Sequence, residues 1–158
     1  MMKWNKRWLL VCIAIPLFVG GAASLLTRGG MEIFSMVEKP PLSPPAWLFP
    51  IVWTVLYILM GISSYLILVS EVEESVKEEA LRIYGIQLAV NFLWPTFFFN
   101  FQWYGFAFFW LLFLWFLVIV MIVQFWKINK VAAYLNLPYL IWLTFAAYLN
   151  WGIWRLNG

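Results

Sequence analysis

Residues 83–126 read IYGIQLAVNFLWPTFFFNFQWYGFAFFWLLFLWFLVIVMIVQFW, 44 positions without one Asp, Glu, Lys or Arg. A helix of about 20 apolar residues crosses the hydrocarbon core of a bilayer. The run is too long for one crossing, and its only break is the polar, glycine-bearing stretch Asn100–Gly105. It therefore folds back as a tight helical hairpin. Lipid offers no partners to backbone N–H and C=O groups, so each limb has to satisfy its own as a helix.

The same absence of charge recurs over 8–27, 40–70 and 131–154. Five spans follow, at about 8–27, 46–69, 81–102, 105–126 and 131–154. The expected fold is all-α, an integral membrane bundle of five transmembrane helices forming one domain over 1–158, with a lid-like loop at 28–45. Composition agrees: 65% of the 158 residues are hydrophobic and 11% charged, against about a quarter charged in soluble domains. An alternative reading of the N-terminus is a signal peptide, with Lys3, Lys6 and Arg7 before WLLVCIAIPLFVG and a small-residue step at Ala22-Ala23-Ser24. The other four spans need a membrane either way. Lys and Arg on the N-terminus and the second and fourth loops (Lys3, Lys6, Arg7, Lys77, Arg82, Lys127, Lys130) outnumber Arg28, Lys39 and Arg155 by seven to three. The positive-inside rule then puts the N-terminus inside and the C-terminus outside a cell membrane. The charged second loop, EVEESVKEEALR, reads as a solvated extension of the third helix, with Glu73–Lys77 and Glu78–Arg82 as i,i+4 pairs.

Histidine and aspartate are absent and Cys12 is the single cysteine. Histidine-ligated metal or haem, a histidine-dependent triad and an intrachain disulfide are thereby excluded. No catalytic residue, metal site or cofactor is called, and nothing points to nucleic acid. An ion-coupled transporter would want a membrane-buried carboxylate or histidine, and the spans hold neither.

Twelve tryptophans need an account. Trp4, Trp8, Trp47, Trp103, Trp126, Trp151 and Trp154 fall near span ends, where indoles prefer the membrane interface. Trp53, Trp94, Trp110, Trp115 and Trp142 lie deep, where an indole N–H wants a partner. In the fourth span, rich in aliphatics and Phe, Trp110 and Trp115 read as core filling. The other three keep different company. Trp53, Tyr57, Gly61 and Ser64 share a face of the second span; Gln87, Asn91 and Trp94 share one on the third; Pro138, Trp142, Ala146 and Asn150 recur every four residues on the fifth. Amides within spans face the bundle or a cavity, so these faces can converge on a pocket. Pro16, Pro95 and Pro138 remove the N–H groups that would reach the carbonyls of Cys12, Asn91 and Tyr134, and bends there make room. Ordinary packing kinks are the alternative. Residues 38–57, EKPPLSPPAWLFPIVWTVLY, hold five prolines and two tryptophans. X-Pro steps disfavour helix, so KPPLSPP reads as a stiff strap, with the second helix starting near Ala46.

KPPLSPPAW…VWTVLY, QLAVNFLWPTFFF and PYLIWLTFAAYLNWGIWRLN, in that order on spans two, three and five, resemble the TspO/MBR family of translocator and tryptophan-rich sensory proteins. The resemblance covers nearly the whole chain. It implies a five-helix bundle, commonly a homodimer, whose cavity under the first loop takes porphyrins such as protoporphyrin IX and other hydrophobic molecules, in tetrapyrrole transport, sensing or disposal. It marks as ligand-binding Pro44, Pro45, Trp53, Tyr57, Asn91, Trp94, Trp142 and Ala146. Some members promote light-dependent porphyrin breakdown. In that alternative the porphyrin is its own chromophore and Trp53 and Trp142 assist. Ile33-Phe34 and Leu42 depart from the family's usual lid aromatics, and Trp151 replaces the tyrosine of its cholesterol segment, so sterol binding is not expected. Gly85 and Ala89 form a small-xxx-small step suited to a dimer contact or to close packing within the chain.

Overall fold

The computed structural model describes residues 4–158; Lys3, counted above in the charge asymmetry, lies outside them. Among these residues every regular element is helical: α1 (Lys6–Leu26), α2 (Arg28–Phe34), α3 (Leu48–Leu68), α4 (Glu74–Pro95) continued by a π turn (Thr96–Asn100), α5 (Tyr104–Ile128), α6 (Lys130–Tyr134) and α7 (Leu137–Asn157). Four stretches are long and apolar enough to cross a membrane: α1, α3, α5 and the α6–α7 run Lys130–Asn157. The remaining long helix, α4, carries Glu74, Lys77, Glu78, Glu79 and Arg82 in its first turns and is free of charge from Ile83 onward.

The expected hairpin is present. α4 and α5 pack side by side, and the chain reverses through Phe101–Trp103. Gln102 sits at φ 56°, in the left-handed region, and the Trp103 N–H donates to the Phe97 carbonyl at 2.9 Å. α5 lies between α4 and α7, while α1 packs chiefly on α3. The shared core holds Met60, Leu111, Leu114, Val118, Met121, Phe125, Tyr139 and Leu143. Outside, the polarity of a water-soluble fold is inverted: Phe18, Phe109, Phe116 and Ile141 are exposed, an apolar surface that only lipid or another protein can cover.

Four local details differ from these expectations. Residues 28–45 are not all loop, because Arg28–Phe34 form α2, which packs on the π turn with Gly30 against the Phe99 backbone. Helix α3 begins at Leu48, two residues after Ala46. Pro138 does not bend a continuous helix. The chain breaks at Leu135–Asn136, and Pro138 occupies the first turn of α7, where a missing N–H costs nothing. By contrast α1 continues through the buried Pro16, and Pro95 ends α4 where the π turn begins. In the charged second loop Lys77 meets Glu74 at 3.9 Å instead of Glu73.

The approach of α1 to α3 depends on Gly61. A Cβ there would strike Ile13 Cα and come within 2.7 Å of the Cys12 carbonyl oxygen. Backbone cannot step aside cheaply, so Gly61→Ala is expected to cost about 1–3 kcal/mol, seen as a lower thermal unfolding midpoint in detergent. At Gly85 a Cβ meets nothing within 4 Å, and Gly85→Ala should leave that midpoint unchanged or raise it, since alanine is the better helix former.

Candidate ligand-binding site

Three helices bring Trp53, Tyr57, Asn91, Trp94, Trp142 and Ala146 of the predicted residues to one core. On α3, Trp53 and Tyr57 are one turn apart, and their rings stack at 5.4 Å. Tyr57 donates its hydroxyl hydrogen to Asn91 Oδ1 on α4 at 2.9 Å. Asn91 Nδ2 donates to the hydroxyl of Tyr139 on α7 at 2.7 Å. Tyr139 passes its own hydrogen to Gln87 Oε1 at 2.8 Å, and Gln87 Nε2 points to the Met60 sulfur at 3.9 Å. All four polar residues are buried. Every link runs in the same donor-to-acceptor sense, which fixes both amide orientations. Trp53 meets the edge of Tyr139 at 6.2 Å, and Trp142, one turn along α7, meets Phe49 of α3 at 5.8 Å. Trp53, Trp94, Trp142 and Ala146 all pack, half-buried, against the same core. The rings close upon one another. Two open concavities, of about 290 and 260 Å³, lie elsewhere on the protein, at Gln102–Phe106 with Trp154 and between α4 and α5 at Glu79 and Lys127.

The five deep indoles divide by what their N–H groups do. Trp94 donates to Asn150 Oδ1 at 3.1 Å, Trp110 to the Val90 carbonyl at 2.8 Å and Trp115 to Thr144 Oγ1 at 2.9 Å. These three are committed to holding helices together, and Trp94 also stacks on Phe98 at 4.8 Å. The Trp142 N–H is buried with no acceptor among the described residues. Trp53 makes no hydrogen bond through its indole there either; its ring instead covers Tyr57 and faces Tyr139. An unpaired donor buried away from water is costly unless something supplies an acceptor.

The strap is seated on α7. Pro40 is buried and touches Gly152, where a Cβ would lie 2.6 Å from the proline ring. Tyr148 donates to the Pro41 carbonyl at 2.8 Å. Asn157 accepts from the Glu38 N–H at 3.1 Å and donates to the Glu38 carbonyl at 2.7 Å. Pro44 is half-buried and Pro45 exposed, so the strap's anchorage is through Pro40 and Pro41. Leu42 stands exposed at φ 71°, a left-handed conformation that a leucine adopts only under constraint.

Sequence reasoning missed Tyr139, the central link of the polar chain, and left Gln87 out of the site. The face read at Pro138, Trp142, Ala146 and Asn150 is one residue out at its start: Pro138 is exposed and Tyr139 is buried. Spacing of three from Tyr139 to Trp142 carries the same helical signal as four. Asn150 is buried, but it serves Trp94 and the Tyr104 carbonyl. Gly85 and Ala89 are exposed, so the step they form is not a close contact within the chain.

A membrane helical bundle built on an indole-lined, amide-laced interior under a proline strap has relatives. The profile of the TspO/MBR family matches residues 12–155, and the chain belongs to that family. It is 36% identical over 138 residues to protein CrtK of Rhodobacter capsulatus, covering 87% of this chain and 85% of that one. It is 34% identical over 150 residues to the tryptophan-rich protein TspO of Chlorobaculum tepidum, covering 94% and 95%. With the translocator protein of Homo sapiens it shares 36% identity over 131 residues, covering 81% and 76%.

The polar chain yields a stability test. Tyr139→Phe keeps the ring and removes the one hydroxyl that serves both amides, leaving Asn91 Nδ2 and Gln87 Oε1 buried without partners. Unfolding in detergent should become easier by about 1–3 kcal/mol, while Trp94→Phe, which removes a single indole donor, should cost less.

Proposed function

We propose that this protein spans the membrane five times, α4 with its π turn supplying the third crossing, and binds a flat hydrophobic ligand between α3 and α7 beneath the strap. A porphyrin, protoporphyrin IX, is the ligand we favour, in tetrapyrrole transport, sensing or disposal. The observation that carries the reading is the division of the deep indoles: Trp94, Trp110 and Trp115 are hydrogen-bonded within the bundle, whereas Trp142 holds a buried donor with no acceptor. Burial of that donor without an acceptor is costly, and a ligand can supply one. A ligand sliding between Trp53 and Trp142 gains ring stacking worth roughly 1 kcal/mol beyond area burial and can offer Trp142 an acceptor. Tyr57 and Asn91 form the floor, Ala146 is the small residue one turn from Trp142, and Pro44 and Pro45 belong to the roof. Trp94 acts from behind, through Asn150.

Family membership supports this assignment, as do the names of relatives, translocator protein and tryptophan-rich sensory protein. The cell membrane is the proposed location, with the N-terminus inside and the C-terminus outside on the charge asymmetry. A homodimer through the exposed Gly85–Ala89 face of α4 is part of the same proposal.

Titration of the detergent-purified protein with protoporphyrin IX, followed by tryptophan quenching, tests the reading. Saturable quenching is expected. Trp142→Phe and Trp53→Phe should each weaken binding about 5- to 10-fold, the worth of one stacking or hydrogen-bonding contact, whereas Trp115→Phe should leave affinity unchanged. Absence of saturation, or equal effects of all three substitutions, would refute it. Illuminating the complex separates holding from breakdown: a porphyrin spectrum that changes only with protein present, and not in Trp53→Phe or Trp142→Phe, would assign light-dependent degradation to the same site.

A further inference from the structure

A second cavity lies at the other end of the α4–α5 hairpin from its turn, away from the indoles. It measures about 260 Å³ and is lined by Val76 and Glu79 of α4 and by Gln124, Lys127 and Ile128 of α5. That is below the roughly 300–1,000 Å³ of pockets for drug-sized ligands, so it suits a small polar group. Its depth relative to a bilayer is legible from its neighbours. It sits where the charged first turns of α4 meet the end of the apolar α5. Trp126 is exposed beside it in sequence, with Lys130 Nζ 5.2 Å from its ring centroid, the aromatic-plus-cation signature of a membrane interface.

Three polar functions in the cavity have no partner among the described residues. Gln124 Oε1 is a buried acceptor without a donor. Glu79 and Lys127 bring opposite charges, yet neither is joined in an ion pair or side-chain hydrogen bond, to each other or to anything else described. A complementary ligand therefore has an anionic end for Lys127 and a cationic, N–H-bearing end that serves Glu79 and Gln124 Oε1 together. Below the cavity the same helix faces turn apolar. Ile86, seven residues on from Glu79, and Val123, four before Lys127, are both exposed, and at those spacings they stand under the charged residues along each helix. A ligand with a zwitterionic head and hydrocarbon tails matches both parts.

We propose that this cavity binds the headgroup of phosphatidylethanolamine, the phosphate on Lys127 and the primary ammonium between Glu79 and Gln124 Oε1, with the acyl chains along Ile86 and Val123. The choline headgroup is refused by chemistry: its trimethylammonium has no N–H, and it would leave Gln124 Oε1 buried and unpaired.

Native mass spectrometry of the full chain, titrated with phosphatidylethanolamine and phosphatidylcholine of identical acyl chains, tests this. The ethanolamine lipid should bind about tenfold more tightly, the worth of one buried acceptor satisfied or stranded. Gln124→Leu should bring the two lipids to within about twofold of each other by the same reasoning. Glu79→Gln, at an exposed position that the fold does not need, should weaken both lipids, because both heads are cationic, and should keep the preference, so the headgroup's charge contact remains readable even if the Gln124 variant folds poorly. Lys127→Gln should weaken both lipids, because both carry the phosphate. Equal affinities for the unaltered chain, a preference that survives Gln124→Leu, or no effect of Glu79→Gln or of Lys127→Gln would overturn the assignment. Tighter binding of phosphatidylglycerol would replace it with a simple anion site, and free O-phosphoethanolamine binding as well as the lipid would reject the membrane as the source.

Discussion

Four side chains on three helices, Tyr57, Asn91, Tyr139 and Gln87, hold the interior to one arrangement. Apolar packing alone does not choose among helix rotations in lipid, because a leucine facing lipid tails is nearly as content as one facing another leucine. A buried amide is not indifferent. Asn91 has both its donor and its acceptor engaged, and Tyr139 both receives and gives. Rotating α3 or α7 by one residue would break two links, rotating α4 all four, and their atoms would be stranded in hydrocarbon. Lipid-phase hydrogen bonds are individually modest, about 0.6 kcal/mol on average in one measured case. Their value here is in exclusivity: one register satisfies the whole set.

That lock has a consequence for the ligand residues. Asn91 is not a free amide waiting in a pocket; it is the joint between α3 and α7. In the proposed site its influence on a ligand would run through the position of Tyr57, and through Tyr57 to the ring of Trp53 stacked on it. Trp142 differs: its N–H has no partner among the described residues, as is also true of Tyr84 Oη, Asn136 Oδ1 and Gln124 Oε1. Rigid floor and uncommitted wall are complementary properties. In the proposed site the first would fix where a ligand lies, and the second would give it something to bond.

The helical hairpin and the membrane setting were plain from charge alone, since 44 uncharged residues leave few options. The gathering of Trp53, Tyr57, Asn91 and Trp142 was legible because period 3.6 puts them on definable faces. What escaped has physical reasons. A proline announces a break without saying on which side the helix resumes, and Pro138 turned out to open α7. Two glycines made Arg28–Phe34 look like loop, yet Gly30 lets α2 settle directly on the Phe99 backbone. Tyr139 stood out too little in a span full of rings. The fate of each indole N–H was invisible, because an acceptor such as the Val90 carbonyl is a backbone atom twenty residues away with no signature of its own.

The lock also sets a timetable for synthesis. Asn91 and Tyr139 are 48 residues apart. At the usual 5–20 residues per second, an interval of roughly 2–10 s separates their emergence from the ribosome. Throughout it the amides of Gln87 and Asn91 lie in a nascent hairpin whose last partner does not yet exist. The growing chain thus reaches the bilayer with an unfinished polar seam, and whatever escorts it there has to shelter two carboxamides until the final helix arrives.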